Sequence, residues 1–277
     1  MSALNARSHF QAFREIILLL TQHRQLTLEM ARREVTDRYL GQVFGAFWAV
    51  GHPLVLMGVY VFLFAVVLKV KIGGTREMPL DYTTYLLSGL IPWLTFQESM
   101  TKGALSIVTN AALVKQVVFP IEILPVKGVL ASLTTLAVSL GALTGYVLLT
   151  QHSLLWTYTL VPSLVFLQVL AMIGISYVLS SVGTYFRDLK DFVQVFCLVG
   201  LYMMPIFYLP DHVPRIFRPI LYVNPFSYLI WCYQDALYFG EFKHWWAWVV
   251  FSVFSVIAFY SGYRVFRKLK PLFGNVL

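Results

Sequence analysis

Charged residues are spaced so widely along this chain that long apolar segments separate them. Between Lys127 and Arg187, about sixty residues pass without an Asp, Glu, Lys or Arg. A helix needs roughly 20 apolar residues to cross the hydrocarbon core of a bilayer, so this stretch has the length of two spans. The polar residues Thr150-Gln151-His152-Ser153 stand between the two halves and predict the turn that joins them.

The same pattern predicts an all-α integral membrane protein with six transmembrane helices, at residues 44–68, 83–100, 124–149, 154–185, 192–209 and 245–263. A further apolar stretch, residues 219–234, is interrupted by Asn224-Pro225. Because the residue before a proline is pushed out of the α region, this stretch is not one straight helix. We interpret it as a re-entrant outer-face helical hairpin between spans five and six. A seventh span is the alternative.

The composition agrees with a membrane protein. Hydrophobic residues make up 58% of the 277 positions and charged residues 12%, whereas about a quarter of a soluble domain is charged. We expect a cytoplasmic amphipathic segment at residues 1–43 and a six-span domain at 44–277. The re-entrant region is at about 211–243 and a cytoplasmic tail at 264–277. Cys197 and Cys232 are too few and too far apart for a disulfide framework or a metal site.

The distribution of Lys and Arg predicts the orientation. With six spans, fifteen of these residues fall on one side of the membrane and six on the other. Lys and Arg are enriched in cytoplasmic loops, so both termini are predicted to be cytoplasmic. A seventh span would place the basic tail outside, which is a second reason to prefer the hairpin. Topology and anionic lipid account for the formal charge of +8, and no nucleic acid partner is needed.

The N-terminal segment carries apolar residues at helical spacing. Phe10, Phe13, Ile17 and Leu20 form one stripe, and a second helix places Leu28, Ala31 and Val35 together, with charged residues around both. Such a segment could lie in the headgroup region of the membrane, or it could dock a cytoplasmic partner; the first is the simpler interpretation.

Several catalytic and nucleotide-binding patterns are absent. The sequence contains no Gly-x-x-x-x-Gly-Lys-Ser/Thr phosphate loop, no His-Glu-x-x-His and no Gly-x-Ser-x-Gly. The six histidines are scattered, and headgroup-level packing explains them better than metal binding. We therefore predict no catalytic residue, no metal site and no cofactor on this chain.

Short motifs in a fixed order resemble the permeases of ABC polysaccharide exporters. The first two are Phe186-Arg187-Asp188-Leu189 before the fifth span and Pro205-Ile206-Phe207-Tyr208 near its end. The others, in chain order, are Arg38-Tyr39-Leu40-Gly41, Phe47-Trp48, His52-Pro53-Leu54, Gly89-Leu90-Ile91-Pro92-Trp93, Phe119-Pro120, Leu124-Pro125 and Asn224-Pro225. Each motif is only moderately specific, but together they cover the chain from about Glu29 to the tail.

This resemblance implies a transport subunit of the bacterial inner membrane. It implies a homodimer that associates with two ABC ATPase subunits, which bind ATP and Mg²⁺. The substrate would be a lipid-linked polysaccharide such as O-antigen, passing between the two permease copies. The helix after the second span, at about residues 111–119, would couple to the ATPase. The expected coupling residues are Val114, Lys115, Gln116, Arg187 and Asp188.

Aromatic residues are the candidates for a sugar channel, since rings stack on the C–H faces of pyranoses. In the fifth span Phe192, Phe196, Met203 and Phe207 recur on one narrow helical face. The other channel candidates are Trp93, Phe96, Tyr202 and Tyr208. An ordinary interfacial aromatic belt is the alternative for such residues. The expected outer gate comprises Tyr222, Asn224, Pro225 and Phe226; a re-entrant packing element without gating is the alternative.

Three charged residues lie in or beside predicted spans. Glu98 is a candidate for the inner channel mouth, or it pairs with Lys102 one helical turn away. Glu122 is expected in the first turn of the third span, where a carboxylate favours the positive helix end, and a transport role is the alternative. Lys127 is expected to extend to the cytoplasmic surface.

Other functions remain open on the sequence alone. A capsular polysaccharide or teichoic acid exporter would share these motifs. A drug or small-lipid ABC exporter, a membrane enzyme of glycan assembly and an ion-coupled secondary transporter are the further alternatives. Sparse intramembrane charge argues against ion coupling, and the lack of a paired-carboxylate site argues against the enzyme.

Overall fold

The computed structural model describes residues 18, 21–38, 41–68, 80–116 and 120–276. These residues form helices and connecting turns, with no β-strand among them. The predicted N-terminal stripe, from Phe10 to Leu20, lies outside the described residues. In chain order the described α-helices are α1 (Arg24–Asp37), α2 (Trp48–Val61), α3 (Tyr82–Leu105), α4 (Ala111–Gln116), α5 (Ile123–Gln151), α6 (Val161–Tyr185), α7 (Leu189–Met203), α8 (Arg218–Val223), α9 (Pro225–Gln234), α10 (Trp245–Leu269) and α11 (Phe273–Val276).

Among the residues that the structure describes, four helical segments are long and apolar enough to cross a membrane. They are Trp48–Val67, Ile123–Gln151, Trp156–Tyr185 and Trp245–Leu272. The first continues α2 through a π-helical turn, Phe62–Val67, and the third adds a 3₁₀ turn before α6. These segments agree with the predicted spans one, three, four and six.

Helix α3 corresponds to the predicted second span and is the centre of the bundle. It packs against α5, α6, α7 and α9, and its middle is buried over several turns. Because protein surrounds it, α3 carries buried hydroxyl residues such as Thr84, Ser88, Thr95 and Ser99. These polar residues lower the mean hydropathy of α3 below that of the four other segments. A helix that contacts lipid along its length would have to be more apolar.

Helix α7 is shorter than the predicted fifth span. It ends at Met203, whereas apolar composition predicted a span to residue 209. Met204 has φ −102° and ψ 156°, an extended conformation that the following Pro205 favours by steric exclusion of the α region. Residues 204–209 therefore leave the helix and form an irregular connection.

The stretch at 219–234 is divided at the predicted place. Helix α8 ends at Val223, and α9 begins at Pro225. The side chain of Asn224 accepts a hydrogen bond from the Phe226 backbone N–H at 3.0 Å, which caps the new helix. A π-helical turn, Asp235–Phe239, continues α9 and ends at Gly240, whose φ of +73° suits glycine.

Helices α6 and α10 make the closest helix crossing. A Cβ atom built on Gly262 would lie 2.0 Å from the carbonyl oxygen of Gly174. One built on Gly174 would lie 2.2 Å from the carbonyl carbon and oxygen of Ala258. Small residues permit such backbone approach, which gives dispersion contacts that helices in lipid depend on.

This crossing generates a stability prediction. We expect Gly262→Ala to lower the free energy of unfolding by at least about 2 kcal/mol, because the added methyl group forces α6 and α10 apart. Thermal unfolding of the purified chain in detergent measures the effect. Gly145→Ala on α5 is the matched control, since a Cβ there meets nothing within 4 Å. Equal melting temperatures for the two variants would contradict the tight crossing.

Candidate functional site

The irregular connection after α7 is held by polar side chains of neighbouring helices. The Tyr85 hydroxyl lies 3.2 Å from the Pro205 carbonyl oxygen and 3.1 Å from that of Tyr208. Tyr82 donates to the Phe207 carbonyl at 3.1 Å. Since an unpaired carbonyl in an apolar medium costs several kcal/mol, these hydroxyl groups are what allow α7 to end inside the bundle.

Two buried glutamines extend this network through the core. Gln234 on α9 donates to the Pro205 carbonyl at 2.7 Å. Gln168 on α6 donates to the Pro92 carbonyl of α3 at 3.1 Å and accepts from the Tyr233 hydroxyl at 2.6 Å. These bonds join α3, α6 and α9 to the segment after α7.

The predicted channel residues fall into two groups. Phe192, Phe196, Tyr202 and Met203 are exposed on α7, with 73% of Phe192 accessible. Phe207 was expected on the same helical face, but the chain leaves the helix at Met204, so that expectation is wrong. Phe207 is only 7% exposed and stacks on Phe64 with ring centroids 4.3 Å apart.

The second group lies inside the bundle. Trp93 and Phe96 are fully buried on α3, and both rings meet the ring of Phe226 edge-on, at centroid distances of 5.4 and 5.0 Å. Phe196 also contacts Phe226, at 5.9 Å. The structure thus connects predicted channel and gate residues in one aromatic cluster. Trp93 and Phe96, however, have no exposed side-chain surface in this chain. Tyr208, half-buried, donates its hydroxyl to the Tyr202 carbonyl at 3.0 Å.

The predicted outer gate packs against the start of α10. Tyr222 is 46% exposed, and its ring lies 5.4 Å from Trp231 and 5.8 Å from Trp246. Its carbonyl accepts a hydrogen bond from the Tyr228 hydroxyl. These contacts hold α8 against α9 and the start of α10. Whether this region opens stays a prediction.

A buried carboxylate outside the predicted site lies at the end of α9. Asp235 is 1% exposed and accepts hydrogen bonds from the His244 backbone N–H at 2.9 Å and from Trp248 Nε1 at 3.2 Å. Its other oxygen lies 2.8 Å from His244 Nδ1. The bonds tie the end of α9 to the beginning of α10. An Asp directly after an apolar helix, with His and Trp about ten residues later, was the available signal.

Glu98 is both paired and placed at a cavity. Its Oε1 lies 2.9 Å from Lys102 Nζ and 2.5 Å from Arg38 Nη1, and its Oε2 accepts from the Thr135 hydroxyl at 2.7 Å. The expected pair with Lys102 is therefore present. A cavity of about 290 Å³ opens beside it, also lined by His52.

The other two charged residues join the chain ends to α5. Glu122 occupies the N-cap position of α5 without a side-chain capping bond, and its Oε1 pairs with Lys270 at 2.6 Å. Lys127 does not extend to the surface as expected. It is 9% exposed and pairs with Glu34 at 3.1 Å, because α1 covers this part of α5.

Helix α1 packs on α5 through a face that differs from the expected one. Thr27 and Ala31 are buried there, and Glu34 completes the row. Leu28, expected to share a face with Ala31, is 60% exposed. The face of α1 that packs on α5 is the one that carries Glu34, which forms the ion pair with α5. The apolar pattern alone does not reveal this face.

The predicted coupling residues lie where two helices end together. A Cβ on Gly183 of α6 would be 2.2 Å from the Ala104 carbonyl oxygen of α3, so the C-terminal ends of these helices touch. After α3 the chain forms α4, which carries Val114 and the exposed Lys115. After α6 it forms an exposed turn with Arg187 and Asp188. The side chain of Gln116 and residues 117–119 lie outside the described part.

Comparison with known proteins agrees with this architecture. The model of a family described as ABC-2 type transporter matches residues 25–238, more than half of the chain. The chain belongs to this family. The family provides the permease subunit of ABC transporters, and the ATPase lies on a separate chain. The resemblance inferred from short motifs is confirmed.

The chain is also similar to curated relatives along most of its length. An O-antigen export system permease protein RfbA from Klebsiella pneumoniae is 29% identical over 256 residues, which is 91% of this chain and 95% of the relative. A permease of the same description from Myxococcus xanthus is 28% identical over 223 residues, 79% of this chain and 82% of the relative.

The polar network generates the next prediction. We expect Tyr85→Phe to lower the free energy of unfolding by about 1–3 kcal/mol, because the carbonyls of Pro205 and Tyr208 lose their shared donor. Thermal unfolding in detergent measures the loss. Tyr60→Phe serves as control, since within the described part of the chain its hydroxyl makes no hydrogen bond. A loss of the same size in both variants would contradict the role of the hydroxyl.

Proposed function

We propose that this chain is the membrane subunit of an ATP-driven exporter that moves a lipid-linked polysaccharide, such as O-antigen, across the bacterial inner membrane. The similarity to O-antigen export permeases over nearly the whole chain carries this proposal. A capsular polysaccharide or a teichoic acid is the alternative polymer.

The proposed topology has six spans, with α3 as the second and α7 as the fifth. Helix α3 has 24 residues, enough for the hydrocarbon core, and its polar residues are shielded by neighbouring helices. Helix α7 has 15 residues, and the irregular segment that follows supplies the remaining length. Helices α8 and α9 would form the re-entrant outer hairpin. Both termini would be cytoplasmic, as the distribution of Lys and Arg predicts.

The proposed channel lies between two copies of the chain, and α7 supplies part of its wall. Helix α7 contacts its own bundle through a narrow stripe, Val193, Cys197, Gly200 and Leu201. Gly200 permits this close fit, since a Cβ there would lie 2.9 Å from the Trp93 ring. The rest of α7 is exposed, and one side of it carries Phe192, Phe196 and Met203.

A sugar path differs from a lipid-facing surface in the residues it needs. Aromatic rings stack on sugars without holding any one position tightly, whereas aliphatic side chains suit lipid. On α7 the side with Phe192, Phe196 and Met203 is separated from a second exposed side, which carries the aliphatic residues Val195 and Leu198 and, one turn further on, Tyr202. We assign the aromatic side to the polymer and the aliphatic side to lipid or to the second copy.

This assignment predicts which side of α7 governs substrate response. We expect Phe192→Ala combined with Phe196→Ala to abolish the stimulation of ATPase activity by lipid-linked glycan. The complex would be co-expressed with its ABC ATPase and reconstituted in lipid nanodiscs. Val195→Ala combined with Leu198→Ala is the matched control on the other side and should keep the stimulation.

The same experiment has outcomes that oppose the proposal. If no ATPase co-purifies with the chain, ATP-driven export fails. If ATPase co-purifies but no glycan stimulates it, the proposed polysaccharide substrate is wrong, and the chain is part of an ABC exporter for another substrate. Stimulation by capsular or teichoic acid chains in place of O-antigen would identify the alternative polymer.

The coupling surface leads to a second prediction. We expect Lys115→Glu combined with Arg187→Glu to reduce the ATPase that co-purifies with the chain, because Lys115 is exposed on α4, which follows α3, and Arg187 is exposed on the turn that follows α6. Affinity purification followed by quantification of the ATPase band measures this. Arg215→Glu, an exposed residue on the proposed outer side, is the control. Undiminished ATPase in the double variant would remove these residues from the coupling surface.

A further inference from the structure

A cavity next to α1 combines positive charge with an apolar exit. It has a volume of about 290 Å³ and lies among the end of α1 and helices α2, α3 and α5. This is close to the lower limit of small-molecule sites, so it suits a headgroup better than a polymer. Its polar lining includes Arg38, His52, Gln97, Glu98, Lys102 and Thr135.

The charges in the cavity do not balance. Arg38 and Lys102 both approach the same oxygen of Glu98, at 2.5 and 2.9 Å, and the other oxygen is occupied by the Thr135 hydroxyl. The residues that line the cavity thus include one carboxylate and two permanently cationic side chains, so positive side chains are in excess in the lining. Glu98 and Lys102 are also largely shielded from water, with side-chain exposures of 16% and 17%. Charge that is partly buried attracts an anion more strongly than exposed charge does.

Lys102 has capacity for a further acceptor. Its ammonium group carries three donors, and among the described residues its contact is to Glu98. The guanidinium of Arg38 presents a planar set of donors that matches the oxygen atoms of phosphate. The side-chain amide of Gln97 also lines the cavity, whereas the Thr101 hydroxyl donates to the Gln97 backbone carbonyl at 3.0 Å. Such a cluster suits a tetrahedral anion with several oxygen atoms.

Apolar residues also line the cavity, and α2, which carries two of them, has an exposed surface beyond it. The apolar lining residues are Pro53 and Leu56 of α2 and Leu94 of α3. Helix α2 also carries Val55 and Val59, which are more than half exposed. Only 11% of this span is buried inside the protomer, the lowest share among the four segments. An anionic group in the cavity could therefore carry apolar chains that lie along α2.

We propose that this cavity is a binding site for the phosphate headgroup of an anionic lipid, whose apolar chains lie along α2. Arg38 and Lys102 bind the phosphate, and Glu98 holds both cations in place while it competes with the ligand. Binding of the headgroup ties the end of α1 to α3. The lipid is either a membrane phospholipid or the phosphate-bearing carrier of a glycan, and only the second rests on the proposed function.

Two variants with opposite expected effects test the site. The purified full-length chain in phosphatidylcholine nanodiscs is titrated with phosphatidylglycerol and, separately, with a polyprenyl monophosphate, and bound lipid is counted by native mass spectrometry. We expect Arg38→Gln combined with Lys102→Gln to weaken binding on the order of tenfold or more, since two charge-assisted bonds are lost. We expect Glu98→Gln to strengthen binding several-fold, because the internal competitor loses its charge.

A purely structural role of these residues predicts that both variants weaken lipid binding. Opposite effects of the two variants therefore distinguish direct binding from a structural role. Arg32→Gln is the matched control, as an exposed arginine on the same helix. Charge-dependent binding of phosphatidylglycerol alone supports a membrane phospholipid site, and binding of the polyprenyl phosphate supports a carrier site. Equal lipid binding by wild type and the double variant, or weaker binding by Glu98→Gln, overturns the proposal. The titration needs no ATP and no glycan, so a negative result would reject the lipid site without bearing on the export assay.

Discussion

Carbonyl groups that leave a helix within an apolar medium must find donors inside the protein, and α3 is the main source of those donors here. Tyr82 and Tyr85 reach the irregular segment after α7, and Gln234 of α9 reaches the same carbonyl of Pro205. Helix α7 can end early only where these donors are available, so the course of the chain from α7 to α8 depends on them. These two tyrosines are among the polar residues that make α3 less apolar than its neighbours, although α3 is central to the bundle.

Electrostatics serves a second purpose at the opposite end of the bundle. Ion pairs connect α1 and the C-terminal tail to the membrane-spanning core through Glu34–Lys127, Arg38–Glu98 and Glu122–Lys270. Each pair is partly shielded from water, so removal of one partner would leave a costly unpaired charge. Helix α1 and the C-terminal tail are thus joined to the helices that form the core of the bundle.

The aromatic residues divide by environment rather than by type. Phe192 and Phe196 are exposed on α7, whereas Trp93 and Phe96 are enclosed by α9 and contact Phe226. Substitution of an enclosed ring would disturb packing and transport together, so only the exposed rings can report on a sugar path. The cluster also joins the proposed channel wall to the proposed gate, since Phe196 and Phe226 are in contact.

The sequence by itself determined the helical membrane class, the approximate positions of the long apolar segments, the break at Asn224-Pro225 and the family. These features depend on composition, on local periodicity and on proline, all of which act within a few residues along the chain. The tertiary structure alone decided that α7 ends at Met203, that Phe207 turns inward, that Lys127 is paired with Glu34 and that Asp235 is buried beside His244. Each of these depends on a partner distant in sequence or on an environment built by several helices, and an apolar pattern carries no information on which polar groups meet.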